Sequence, residues 1–197
     1  MVQVEIGVWD WLRADWLETY YPPDLPVDWR QAYYANEYAC VGLPASAWTP
    51  GELPLWADET GGKVAYWLGC DPTKLTEAAT VDALVSLGEC LAGIFFEDVG
   101  LQPARALMSR LYADGLAPAY AAEPPLAGVT PPWRPEHADR PAAIGLYAPR
   151  LGDDVCRRRA LIESFVAAPG PAQRYLFVEG APAIVEECRQ LCDLLGR

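Results

Sequence analysis

Short apolar runs alternate with amphipathic stretches along the chain, the pattern of stacked βα units around a largely parallel sheet. The candidate strands are Val4 to Trp9, Ala39 to Leu43, Lys63 to Leu68, Leu91 to Phe96, Ala117 to Ala121, Ala142 to Tyr147 and Arg174 to Val178. Most are uninterrupted apolar segments, as strands covered on both faces should be. Between them the spacing predicts helices over Trp29 to Tyr38, Val81 to Cys90, Pro103 to Asp114, Asp154 to Ala167 and Ala183 to Leu195.

The punctuation agrees. Pro103 suits a first helical turn, Asp153 or Asp154 can cap the following helix, and Gly115 and Gly196 stand where helices end and a left-handed residue is wanted. The Pro-rich stretches Tyr21 to Pro26 and Glu123 to Pro141 exclude helix and central strand, so they read as ordered loops. The second is too long to be only a connector. About seven largely parallel strands with helical crossovers fit either an incomplete barrel or an open doubly wound sheet. No GxGxxG or GxxxxGK loop follows any strand, which weakens the nucleotide-binding reading of the open sheet.

Composition narrows the class. With 197 residues, residues 1–197 read as one domain, and 52% hydrophobic against 21% charged residues describes a folded chain rather than a disordered one. No apolar run approaches the roughly 20 residues of a bilayer span. The opening MVQVEIGVWDWLRAD lacks a basic segment followed by a signal core, so a cytoplasmic location is expected. A net charge of −12 repels phosphate backbones and anionic lipid, which argues against nucleic acid and membrane as partners. Arg157, Arg158 and Arg159 precede a helical pattern and read as its solvated face. Cys40, Cys70, Cys90, Cys156, Cys188 and Cys192 show no CxxC pairing and are expected as free thiols. Cys188 and Cys192 share one helical face, but with His137 the only histidine they make a poor zinc set.

Ile6-Gly7 followed by Trp11, Trp16 and Tyr20-Tyr21-Pro22 resembles, without a gap, the opening of the YecE-like family of domains of unknown function. There an IGTSGW strand precedes a second tryptophan and an FYP turn. Asp24 to Pro26, Tyr33-Tyr34-Ala35 and Tyr38 to Val41 continue the likeness, and Tyr175 to Gly180 with the closing LCDLLG helix resemble the family's end. The middle is only loosely similar. The resemblance implies a TIM-barrel-like fold with its site at the carboxyl ends of the strands, here an incomplete or reduced (β/α) barrel, since a full one usually needs about 250 residues. Several polar positions of the family differ. Gly42 stands for the acid of the VEIN strand, Cys70 lies near the usual strand lysine, Gly145 to Ala148 replace RLHG, and Glu179-Gly180 replace the asparagines of FNN.

Past the expected strand ends stand Asp10, Asp71, Glu97, Asp98, Glu123 and Glu179. A carboxylate ring at one mouth can hold Mg²⁺ or Mn²⁺, or divide into a protonated acid and an ionised base. Helix capping and general surface acidity account for the same residues without chemistry. Trp9, Trp11, Trp16, Tyr21 and Tyr147 are the candidate ligand-contacting rings. If the first strand runs on through Trp11, alternation puts Trp9 and Trp11 on one side and Asp10 on the other. His137 has no serine or cysteine motif beside it, and no GxSxG elbow occurs, so nucleophilic catalysis has little support.

Two readings follow. The first is a non-catalytic or vestigial barrel binding a partner protein or a small ligand at an aromatic, acidic mouth. The alternative is a metal-assisted or acid/base hydrolase using Glu97, Asp98 and Glu179 with Trp11 as platform. A homodimer completing the shortened barrel is a further expectation.

Overall fold

The computed structural model describes residues 2–196. Seven strands form in chain order: β1 (Gln3–Val8), β2 (Cys40–Leu43), β3 (Ala65–Cys70), β4 (Leu91–Glu97), β5 (Ala119–Glu123), β6 (Ile144–Tyr147) and β7 (Gln173–Val178). The helices are α1 (Ala14–Thr19), α2 (Arg30–Tyr34), α3 (Leu53–Glu59), α4 (Pro72–Thr76), α5 (Ala79–Ser86), α6 (Leu101–Ala113), α7 (Val155–Ala167) and α8 (Pro182–Leu194). The protein is α/β, with two parallel sheets of order β1-β7-β6 and β2-β3-β4-β5.

Single bridges lie at the sheet edges. Trp9 pairs with Gly42, linking the end of β1 to β2. Residues 130–133 run beside both β5 and β6, with Thr130 paired to Ala121 and Trp133 to Gly145. The long Pro-rich segment is thus an ordered loop, as expected, that also extends the pairing. Among the described residues no α-helix joins β5 to β6.

Side-chain alternation divides the core in two. Val4, Ile6, Val8, Leu43, Leu68, Ile94, Phe96, Leu176 and Val178 pack outward beneath the helices. Cys40, Trp67, Phe95, Ala121, Ile144, Leu146 and Phe177, with Trp9 against them, form a second cluster to which every strand or its immediate extension contributes. Large rings there lie over positions without side chains. A Cβ on Gly42 would stand 2.2 Å from Trp9 Cε3, so only glycine admits the indole.

Five of the helices were expected, and two of them are cut short. A 3-10 turn over Val27–Trp29 leads into α2, which ends at Tyr34 rather than Tyr38. The helix expected to reach Cys90 ends at Ser86, because Gly88 turns left-handed at φ 55° and only a 3-10 turn follows. Asp154 is the cap of α7, its side chain accepting from the Arg157 N–H. The buried Arg174 guanidinium donates to the Phe165 and Val166 carbonyls, closing the other end of α7 onto β7. Cys40, Cys70, Cys90, Cys156 and Cys188 are free thiols. No helix among the described residues is long and apolar enough to cross a membrane.

Candidate functional site

Because the strands are parallel, their carboxyl ends share one side of the protein, and alternation decides which end residues lie over the inner cluster. Phe95, Ala121 and Phe177 belong to that cluster, so Glu97, Glu123 and Glu179, two residues on, stand above it. Glu97 and Glu123 are direct partners in the register of β4 and β5. Trp9 completes the floor, its ring edge-on to Phe95 at 5.5 Å and tilted against Phe177 at 5.9 Å. Trp9 and the three glutamates are all part-exposed.

Each carboxylate is already engaged. Glu97 Oε1 accepts the Ala45 N–H at 3.1 Å in the turn after β2, and that turn is pinned where Trp48 Nε1 donates to the Gly69 carbonyl at 2.8 Å. Burial raises the Glu97 carboxyl above its ordinary range; the Ala45 N–H opposes the shift, and Asp71 and Asp98 add to it. Glu123 is held by Arg134 in a two-point pair, Nη2 to Oε2 at 2.6 Å and Nε to Oε1 at 3.3 Å. The Nη1 of the same guanidinium reaches Glu179 Oε1 at 3.8 Å. Arg134 thus joins the carboxylates of β5 and β7 across the mouth.

Asp10 and Asp98 are the described non-glycine residues with positive φ, at 71° and 52°. Aspartate tolerates that conformation better than most residues. The reversal at Asp10 ends β1 at Val8, and its Oδ1 accepts the Leu12 N–H at 2.9 Å. Burial raises the Asp10 carboxyl too.

That turn corrects the expected alternation. Trp9 joins the inner cluster, whereas Trp11 passes into the outer core, 1% exposed and edge-on to Tyr34 at 5.0 Å and Trp56 at 5.5 Å. Trp16 is fully buried, its Nε1 donating to the Gly180 carbonyl at 2.9 Å, and Tyr21 is 4% exposed beside Tyr20 and Tyr33. These three rings support the mouth from behind and do not reach it. Trp11 is therefore no platform for a ligand.

Asp98 is exposed, and its N–H donates to the Glu123 carbonyl at 3.1 Å. Asp71 caps α4 by accepting the Lys74 N–H at 2.8 Å. Tyr147 faces the outer core, and its hydroxyl donates to Asp153 Oδ2 at 2.8 Å. Burial and that bond push it up to about 12. His137 lies exposed in a 3-10 turn, Pro135–His137.

Sequence reasoning brought Trp9, Glu97, Glu123 and Glu179 to one place but missed Arg134. Its signal was the stretch PPWR, an aromatic and a cation within a segment too long to be only a connector. Among the described residues no group of three or more His, Cys, Asp or Glu side chains is placed to share a metal ion. Comparison with protein-family models, curated proteins and solved structures returns no match.

Proposed function

We propose that the chain is a reduced TIM-barrel-like domain related to the YecE-like family, and that it binds a small polar ligand at the mouth formed by Trp9, Glu97, Glu123, Arg134 and Glu179 without transforming it. Three observations support the barrel: an inner cluster fed from all around, the Trp9–Gly42 bridge, and residues 130–133 lying between β5 and β6.

The single observation carrying the function is the fit of Trp9 against Gly42. In the resemblance Trp9 stands at the serine of IGTSGW, and Gly42 at the acid of VEIN. A small residue has become large where a large one has become small, and the two are in contact. Such a paired exchange keeps the packing while replacing a carboxylate with an indole face. Asp10 stands at the motif's second glycine and keeps the left-handed backbone that a glycine there would allow. The pocket is therefore remodelled rather than empty. With every carboxylate committed to an N–H or to Arg134, it is built to hold hydroxyl or amine donors beside an aromatic face.

A second reading is acid/base hydrolysis, with Glu97 as the acid and Glu123 or Glu179 as the base. What favours it is the contrast between a carboxyl driven toward neutrality by burial and neighbours paired to a cation.

The test is a thermal-shift titration with neutral sugars and polyols of the intact protein, Trp9→Ala and Glu97→Gln. The binding reading expects a raised midpoint in the wild type, lost in both variants, with the sugar recovered unchanged. Consumption of a glycoside by the wild type and not by Glu97→Gln moves the conclusion to the hydrolase. No shift with any probe overturns the mouth as a sugar or polyol site.

A further inference from the structure

Beside the mouth, at the carboxyl end of β6, lies a second concavity of about 190 Å³ that the acidic-mouth reading leaves unused. Its polar lining is Arg134, Glu136, Tyr147, Arg150, Asp153 and Arg157, three guanidiniums against two carboxylates. Three guanidiniums gather there in a chain of net charge −12, each paired with at least one carboxylate.

The cleft is organised around Asp153, whose side chain is 4% exposed. It accepts the Tyr147 hydroxyl at 2.8 Å and the Arg150 N–H at 2.9 Å, and pairs with Arg157 Nε at 2.9 Å. Arg158 Nη1 donates to its main-chain carbonyl at 2.8 Å, and Arg158 Nη2 donates to Glu187 Oε2, also at 2.8 Å. Asp153 is thus spent on fixing the turn from which Arg150 and Arg157 project.

Donors remain. Arg150 uses one Nη on Glu136, and its Nε and other Nη have no protein partner among the described residues. Both Nη groups of Arg157 are in the same position. A guanidinium has five N–H donors in a fork that matches the oxygens of phosphate or carboxylate.

We propose that this cleft is an oxyanion subsite, which takes the phosphate or carboxylate group of a small soluble molecule through Arg150 and Arg157, with Arg134 at its inner edge. Arg134 belongs to both sites, because it lines the cleft and pairs with Glu123 and Glu179 in the mouth. The mouth's ligand is accordingly a hydroxyl-bearing compound with an acidic tail, of which a sugar phosphate is the simplest kind. That extension rests on the mouth reading, whereas the subsite does not. The surrounding negative field disfavours an anionic membrane as the source of the group.

The test uses the intact protein with inorganic phosphate, acetate, glycerol and glycerol phosphate as separate probes, followed by calorimetry and thermal shift. The variants are Arg150→Gln with Arg157→Gln, and Arg159→Gln as the control. Arg150 and Arg157 side chains are 60% and 65% exposed, so their replacement leaves the core intact. Arg159 pairs with Glu163 on the same helix and does not line the cleft. The expected result is phosphate or acetate binding to the wild type and to Arg159→Gln, weakened about tenfold or more in the double variant, as the loss of charge-assisted contacts implies.

No binding of either anion to the wild type, or equal binding in the double variant, overturns the subsite. Phosphate binding that survives Glu97→Gln while glycerol and neutral sugars fail to bind would uphold the subsite and sink the mouth reading. The reverse pattern would do the opposite.

Discussion

Glu97 occupies the space that a side chain at position 69 would need: a Cβ on Gly69 would lie 2.0 Å from Glu97 Oε1 and 2.5 Å from the Ala45 nitrogen. The carboxylate, the turn that holds it and the bare backbone beneath it are one unit. Gly69→Ala should cost about 1–3 kcal/mol, the usual range for overpacking a filled site. A lower urea midpoint at unchanged slope would show it. In a Glu97→Ala background part of that loss should return, since the shortest of the three close contacts is gone; strictly additive losses would mean the two residues do not compete for the same room.

The raised carboxyl of Glu97 sets a pH dependence. Its proton is held more tightly in the folded protein than in the unfolded chain, so its contribution is fully present below the unfolded value. That contribution is lost as pH rises through the folded value. Above the folded value the ionised, half-buried group therefore weighs against folding. Glu97→Gln keeps an acceptor for the Ala45 N–H and removes the charge. Its melting temperature should exceed that of the wild type at pH 7, with the gap closing on acidification. A gap that is constant with pH would contradict the assignment.

Two buried indoles separate packing from hydrogen bonding. Trp16 Nε1 donates to the Gly180 carbonyl, whereas Trp11 Nε1 has no partner among the described residues. Either tryptophan changed to Phe removes similar volume, but only Trp16→Phe strands a carbonyl. Trp16→Phe should therefore be the more damaging by about 1 kcal/mol in chemical denaturation. Equal losses would argue that the Trp16 bond contributes nothing net.

Thiol reactivity maps the packing directly. Cys156 is exposed on α7 and Cys90 half-buried, while Cys40, Cys70, Cys188 and Cys192 are buried. Burial also pushes the Cys40, Cys70 and Cys188 thiols up, the last to about 12. A thiol-specific chromogenic reagent should label Cys156 quickly and Cys90 slowly, and reach the remaining four only in denaturant. Rapid labelling of a third thiol in the native protein would contradict the buried placement of α8 or of the strands.

Much of this architecture was legible in the sequence. All seven strands were found, Leu91 to the residue, because segments buried on both faces leave uninterrupted apolar runs. The short helices were not. α1, α3 and α4 span six, seven and five residues, and two of them carry proline in the first turn, so neither length nor periodicity rises above loop composition. The glutamates of the mouth were legible from their places just past apolar runs. Arg134 was not, because only the folded position of residues 130–133, between β5 and β6, turns a proline-rich loop into part of a site. Trp11 departs from the side of Trp9 because one left-handed residue, Asp10, interrupts the alternation after β1.

The strand order also fixes a timetable. β2, β3 and β4 each pair with their immediate successor, so that sheet can assemble strand by strand as the chain leaves the ribosome. β1 pairs along its length with β7, Val8 lying opposite Val178. The first strand synthesised must wait for the last, with an open backbone edge in the meantime. Contacts that close so large a loop form late and slowly, and such an edge is where chains mispair. For this protein the vulnerable interval is the stretch of translation between β1 and β7.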